Sequence, residues 1–141
     1  MTDLEVAELI ASHKGWVEWV KEHWVWKVGD WFWHNNKPNL VYEYMLKKRH
    51  SDGKEFPTID SILNSNPIPI PREDQLMDML KSKLGYEDIR FFDLRTELET
   101  EEQTCLRIYI KDYNVAKYVF DAPTRLLALF AAVVKVYGLN K

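Results

Sequence analysis

Apolar residues near the start of the chain recur at three- and four-residue steps: Val6, Leu9, Ile10, His13, Val17 and Val20. That spacing lays a stripe along one face of a helix. Thr2 and Glu5 precede it at the spacing of a capping box, in which the hydroxyl takes an orphan helix N–H and the glutamate reaches back. Gly15 interrupts the stripe at a cost of about 1 kcal/mol relative to alanine, so a stop or bend is expected there.

From Trp24 the dominant step becomes two. Trp24-Val25-Trp26-Lys27-Val28 and Trp31-Phe32-Trp33-His34 flank Gly29-Asp30, which predicts a two-residue hairpin with Gly29 at positive φ. In that register Val28 lies opposite Trp31, Lys27 opposite Phe32, and Trp26 opposite Trp33 as an aromatic cross-strand pair. Asn35-Asn36-Lys37-Pro38 is a second turn signal, and Leu40–Tyr44 a third strand that completes a meander. Residues 46–71 read as a long, mobile connection. Pro67, Pro69 and Pro71 favour extended backbone there, because each also biases its predecessor away from α.

The second half has the same coarse plan. Pro71 precedes a helix over Glu73–Leu84, with Leu76, Met79 and Leu80 on one face and Glu73 and Asp74 at its positive end. Gly85 follows as a natural stop. Ile89–Leu98 reads as a strand, and Leu106, Ile108 and Ile110 alternate with Arg107, Tyr109 and Lys111 in another. Val115–Phe120 follows a turn at Asp112-Tyr113-Asn114. Asp121 is the expected cap of the last helix, with Pro123 in its first turn. That helix, Thr124–Tyr137, carries only Arg125 and Lys135 as charges, and an all-round apolar helix needs cover on more than one side. Leu126, Leu129, Phe130, Val133 and Tyr137 suit a sheet. Leu127, Val134 and Ala131 then call for other helices or a second copy, which makes a homodimer one expectation. The order α-β-β-β-α-β-β-β-α excludes an alternating parallel sheet. The expected fold is α+β, a mainly antiparallel sheet in two meanders with three helices, forming a layered α/β sandwich in a single domain over residues 1–141.

Composition narrows the function classes. A length of 141 residues suits one domain. A net charge of −3 argues against a strongly basic nucleic-acid binder or a polybasic membrane anchor. Cys105, the sole cysteine, excludes an internal disulfide and a multi-cysteine metal cage. No apolar run reaches the roughly 18 residues of a membrane span, and the acidic start lacks the basic region of a secretory signal. A cytoplasmic protein is expected.

The candidate chemistry centres on rings. All six tryptophans fall between Trp16 and Trp33. They read either as core and cross-strand pairs or as a platform for stacking bases or sugars, and the first is preferred on the burial habits of indole. Trp24, Trp26, Trp31, Trp33 and His34 form the candidate ligand or partner surface. Lys47, Lys48 and Arg49 form a candidate basic loop, read first as solvated charge and second as phosphate contacts. His23 beside Glu22, and His34 four residues after Asp30, are the weakest candidates, as a base poised by a carboxylate. Phosphate-cradling glycine patterns and nucleophile elbows are missing from the sequence. No catalytic, cofactor-binding or metal-binding residue is assigned, and no cofactor is expected.

Three stretches together carry a resemblance: Lys27-Val28-Gly29-Asp30-Trp31-Phe32, Ile70-Pro71-Arg72-Glu73-Asp74-Gln75-Leu76-Met77-Asp78-Met79-Leu80, and Ala122-Pro123-Thr124-Arg125-Leu126-Leu127-Ala128. The chain resembles small uncharacterised α/β sandwich proteins of phages and prophages. That resemblance implies the fold class and a mobile-element origin, and supplies no site residues. The expected function is that of a non-enzymatic accessory or binding protein acting through protein–protein contacts at the aromatic segment or the terminal helix. Single-stranded nucleic acid or carbohydrate binding through exposed tryptophans is the alternative, and a small histidine–carboxylate enzyme the weakest.

Overall fold

The computed structural model describes residues 2–42, 45, 67–84, 88–94, 103–109 and 116–139. Its contacts divide the chain into two compact units, 2–71 and 72–141. The described residues form four α-helices and two three-stranded antiparallel sheets, an α+β structure.

In residues 2–71, helix α1 (Asp3–Ala11) opens on the expected capping box between Thr2 and Glu5. It ends before Gly15. Ser12 closes it with an N–H to the Glu8 carbonyl, and His13 turns extended and caps helix α2 (Lys14–His23). The His13 Nδ1 accepts the Trp16 N–H at 3.1 Å. The single expected stripe is therefore two helices, which raises the helix count from three to four. The chain breaks where a cap is available, and Gly15 sits harmlessly in the first turn of α2, whose N–H groups lack helical partners in any case.

The expected hairpin at Gly29-Asp30 does not form. Lys27–Asp30 makes a β-turn closed by the Asp30 N–H to the Lys27 carbonyl at 3.1 Å, with Gly29 at φ +90° in its third position. The Gly29 N–H then reaches the Val41 carbonyl at 3.0 Å, and the Val41 N–H reaches the Asp30 carbonyl at 2.8 Å. Two residues oppose one, a bulge with glycine at the position that requires positive φ. Asp30 is buried, and its carboxylate accepts the Lys27 N–H at 2.8 Å. The hairpin lies one turn later, between β1 (Trp31–His34) and β2 (Lys37–Leu40), where Asn35 and Asn36 take φ 54° and 60°.

The far edge of β1 is taken by β3 (Ile68–Ile70), giving the order β2-β1-β3. Trp33 therefore lies opposite Pro38 and Ile68 rather than Trp26. The prolines explain how this is tolerated. Alternate residues of a strand point their N–H groups to the same edge, so Pro67, Pro69 and Pro71 all turn a nitrogen without hydrogen away from β1, while Ile68 and Ile70 keep theirs toward it. Pro38 does the same on β2. The outer edge of β3 thus lacks donors that would recruit another strand, and Pro38 removes one from the outer edge of β2. The C-terminal end of the expected 46–71 connection is consequently part of the sheet, and residues 46–66 lie outside the described ones, as do Glu43 and Tyr44 of the expected third strand. Helix α1 packs on all three strands and α2 on β3.

In residues 72–141, helix α3 (Glu73–Leu84) has the expected bounds. Strands β4 (Asp88–Leu94), β5 (Gln103–Tyr109) and β6 (Ala116–Ala122) pair in sequence order as a meander. Leu106 and Ile108 of β5 are fully buried. Helix α4 (Arg125–Val136) packs on β5, β6 and α3, so α3 supplies the second cover its apolar surface demands. Its cap is Thr124, whose hydroxyl accepts the Leu127 N–H at 3.2 Å, and not Asp121, which lies inside β6. Strand pairing carries the chain to Ala122, leaving Pro123 ahead of the cap. At the other end Gly138, at φ +65°, lets the Leu139 N–H return to Val134 and its own N–H to Lys135.

Candidate functional site

Val17, Val20 and Lys21 stand on one face of α2, and Trp24 ends that helix. The chain then runs outside helix or strand through Trp26. Together with Pro67, Ile68 and Pro69 these residues line a cleft of about 550 Å³. Its placement rests on Trp16, fully buried, whose Nε1 donates to the Pro69 carbonyl at 2.9 Å and so fastens α2 to β3.

The rings of this unit form a continuous series. His23 stacks on Trp19 with centroids 4.6 Å apart. Trp19 stacks on Trp16 at 5.8 Å, and Trp16 meets Trp24 edge to face at 5.8 Å. Trp24 meets Trp26 edge to face at 6.2 Å, Trp26 meets Phe32 at 6.0 Å, and Phe32 lies 6.4 Å from His34. Such pairs are worth about 0.5–1.5 kcal/mol beyond their buried area. One polar atom in the series is left out: Trp24 Nε1 is buried and has no hydrogen-bond partner. Among the described residues, Lys21 is the only charged side chain lining the cleft.

The candidate surface is thus only partly brought together. Trp24 and Trp26 line the cleft. Trp26 packs against the buried cluster of Phe32, Val41 and Met45. Strand alternation sends Trp31 and Trp33 to the face of β1 opposite Phe32 and His34, and Trp31, 40% exposed, is the most open of these rings. Lys47, Lys48 and Arg49 lie outside the described residues. The sequence reading missed Val17, Val20 and Lys21, which it placed in a core stripe or left unassigned, and the Pro67–Pro69 wall. The signal for that wall was present, since prolines at alternate positions leave one strand edge free to pair.

The histidines show no catalytic arrangement. His23 Nδ1 donates to the Trp19 carbonyl at 2.9 Å, and among the described residues neither His23 nor His34 bonds a carboxylate. No group of three metal-binding side chains occurs among the described residues, and none of their helices is long and apolar enough to cross a membrane. Among the described residues, Asp74 and Tyr137 depart from ordinary values. A hydrogen bond from Arg72, 3.1 Å away, lowers the Asp74 carboxyl, and burial raises the Tyr137 phenol. Comparison with known protein families, curated proteins and solved structures finds no match.

Proposed function

We propose that this chain is a non-enzymatic binding protein acting through protein–protein contacts, with the Trp24–Trp26 cleft as its docking surface. The observation that carries this reading is the buried Trp24 N–H without an acceptor in a cleft lined otherwise by apolar side chains and Lys21. A buried donor left unmade costs about 1–3 kcal/mol, and a partner offering a carbonyl at that point recovers it. Peptides bring apolar side chains and backbone carbonyls together, and aromatic-lined grooves are a recurrent way of holding them. The phage-type resemblance, a cytoplasmic setting and an α/β layering belong to the same reading. The layering is supported by α4 lying on β5 and β6, and the setting suits a chain with one cysteine.

The test is selection from a displayed random peptide library, followed by titration against tryptophan emission. Wild-type protein is expected to enrich peptides that shift the emission. Val17→Trp, which fills the cleft, is expected to lose them while keeping its circular dichroism. Failure to enrich any peptide, or binding indifferent to Val17→Trp, overturns the reading. A second reading, stacking on single-stranded nucleic acid or sugar, has the exposure of Trp31 in its favour. It requires salt-sensitive or sugar-specific quenching that disappears in Trp31→Ala.

A further inference from the structure

We infer that the occupant of the cleft is an extended, proline-containing peptide bearing a carboxylate, held by Trp24 Nε1 on a backbone carbonyl and by Lys21 on the acid. The inference rests on the protein-contact reading and specifies its ligand. The two lining side chains that carry polar hydrogen are Lys21 and Trp24, the latter with its Nε1 covered in the free state, and no acidic side chain lines the cleft among the described residues. Lys21 is exposed and makes no ion pair with another described residue. Complementarity therefore asks for acceptors, one of them anionic. Lys21 and Trp24 stand three residues apart at the end of α2, hence on one side of it. A carbonyl and a carboxylate one or two residues apart on an extended peptide, at about 3.1–3.4 Å per residue, match that separation.

The apolar walls select the rest of the ligand. Trp26, Pro67 and Pro69 offer flat surfaces, and a proline-bearing segment is already extended before it binds, so it loses little freedom on docking. The protein holds one such segment itself: Trp16 Nε1 donates to the carbonyl of Pro69 within Pro67-Ile68-Pro69-Ile70-Pro71. Trp24 presents the same donor without the same acceptor. A sugar would find too few polar side chains along these walls. A nucleic acid would find a single cation, too few for phosphate-driven binding. The Trp24 indole N–H is closed to solvent in the free state, so docking includes a rotation of that ring about its side-chain bonds while the backbone N–H stays on the Val20 carbonyl.

Four synthetic peptides of equal length test this on the full chain by calorimetry. One is proline-rich with a central glutamate, and two replace that glutamate by glutamine or lysine. The fourth keeps the glutamate and replaces the prolines by serine. The glutamate peptide is expected to bind. Loss of its charge, or of its prolines, is expected to weaken binding about tenfold, the scale of one hydrogen bond or ion pair in a partly buried site. Lys21→Glu, an exposed substitution that leaves the fold intact, is expected to transfer preference to the lysine peptide. Trp24→Phe is expected to lose about tenfold in affinity with no fall in thermal midpoint, because its indole N–H has no partner to lose. Equal binding of the glutamate and glutamine peptides, or indifference to Lys21→Glu, overturns the inference. If the four peptides fail while library peptides still bind and Val17→Trp abolishes them, the protein-contact reading stands and this inference falls. If nothing binds the cleft, both fall.

Discussion

Among the described residues, 2–71 add rings and single-point hydrogen bonds to an aliphatic core, whereas 72–141 pack mainly aliphatic side chains of two helices onto a meander with a register shift at Ile108/Tyr109. In the first unit Trp16 fills the interior and also donates to Pro69, Asp30 fixes a turn from inside, and prolines remove donors from the outer strands of the sheet. In the second, Leu76, Leu80, Leu106, Ile108, Leu129 and Val133 are buried with nothing polar to satisfy. The difference matters because apolar burial is non-directional and graded with area, while a buried hydrogen bond is lost whole when either partner goes. The aromatic unit should therefore tolerate conservative replacement poorly, and the aliphatic unit should tolerate it well.

The largest effects test that contrast directly. Trp16→Ala should cost about 3–5 kcal/mol and Leu129→Ala about 2–5 kcal/mol, each measured by urea denaturation. The informative pair is conservative. Trp16→Phe keeps a ring but strands the Pro69 carbonyl, so a loss of about 1–3 kcal/mol should remain. Leu129→Met conserves volume and should cost under about 1.5 kcal/mol. Equal tolerance in the two units would break the comparison.

Asp30 comes next. Asp30→Ala leaves the Lys27 N–H without its acceptor and should cost about 1–3 kcal/mol. Asp30→Asn, whose amide oxygen can still accept, should recover part of that. Amide exchange at Gly29 and Val41, the two donors of the bulge, locates the damage. Unchanged protection there in Asp30→Ala would show that the carboxylate does not hold the turn.

The same division decides what the sequence made legible. Helix α3 could be read to its ends because Pro71, the acidic first turn and the Leu76–Leu80 spacing are all local signals. Strand β5 announced itself by strict alternation through Leu106 and Ile108. The aromatic unit was harder because its elements are settled by competition. Trp24–Lys27 has the composition of a strand, but β3 (Ile68–Ile70), far along the chain, takes the edge of β1 it would have needed. Gly29 serves a glycine-first hairpin turn and a glycine-third turn equally well, and the buried Asp30 carboxylate chooses between them. Gly15 marked the break between α1 and α2, but histidine lies outside the usual set of helix caps, so the cap at His13 had no sequence signature. Trp24 was singled out as a surface residue, but an unpaired indole N–H is a fact of three-dimensional packing that no spacing encodes.

The helix caps give a smaller, matched comparison. His13→Ala in α2 and Thr124→Ala in α4 each remove one acceptor from an orphan helix N–H and should cost about 1 kcal/mol. His13→Asn should restore its helix, since only the acceptor is required. A much larger loss at His13 would mean that the α1–α2 junction, and not the cap alone, depends on the imidazole.

Tyr137 is one of the rings in the mainly aliphatic unit, a half-buried phenol that donates to the Met79 carbonyl at 2.8 Å with Lys83 Nζ 5.5 Å from its ring centroid. Tyr137→Phe should cost only about 0.5–1 kcal/mol at neutral pH, because the bond is partly open to water. Its more specific effect is on pH dependence. Burial raises the phenol above its ordinary value of 10.0, so the folded state keeps the proton when the unfolded chain has begun to release it. The stability tied to that proton is whole below the ordinary value and is lost as pH rises through the folded one. Wild type should therefore lose stability as pH climbs past about 10, the ordinary tyrosine value, and Tyr137→Phe should show a shallower alkaline decline. Parallel declines in the two proteins would mean that the phenol exchanges its proton as freely in the fold as out of it. In that event the Met79 bond would contribute no more than a solvent contact, and residues 72–141 would rest on aliphatic packing alone.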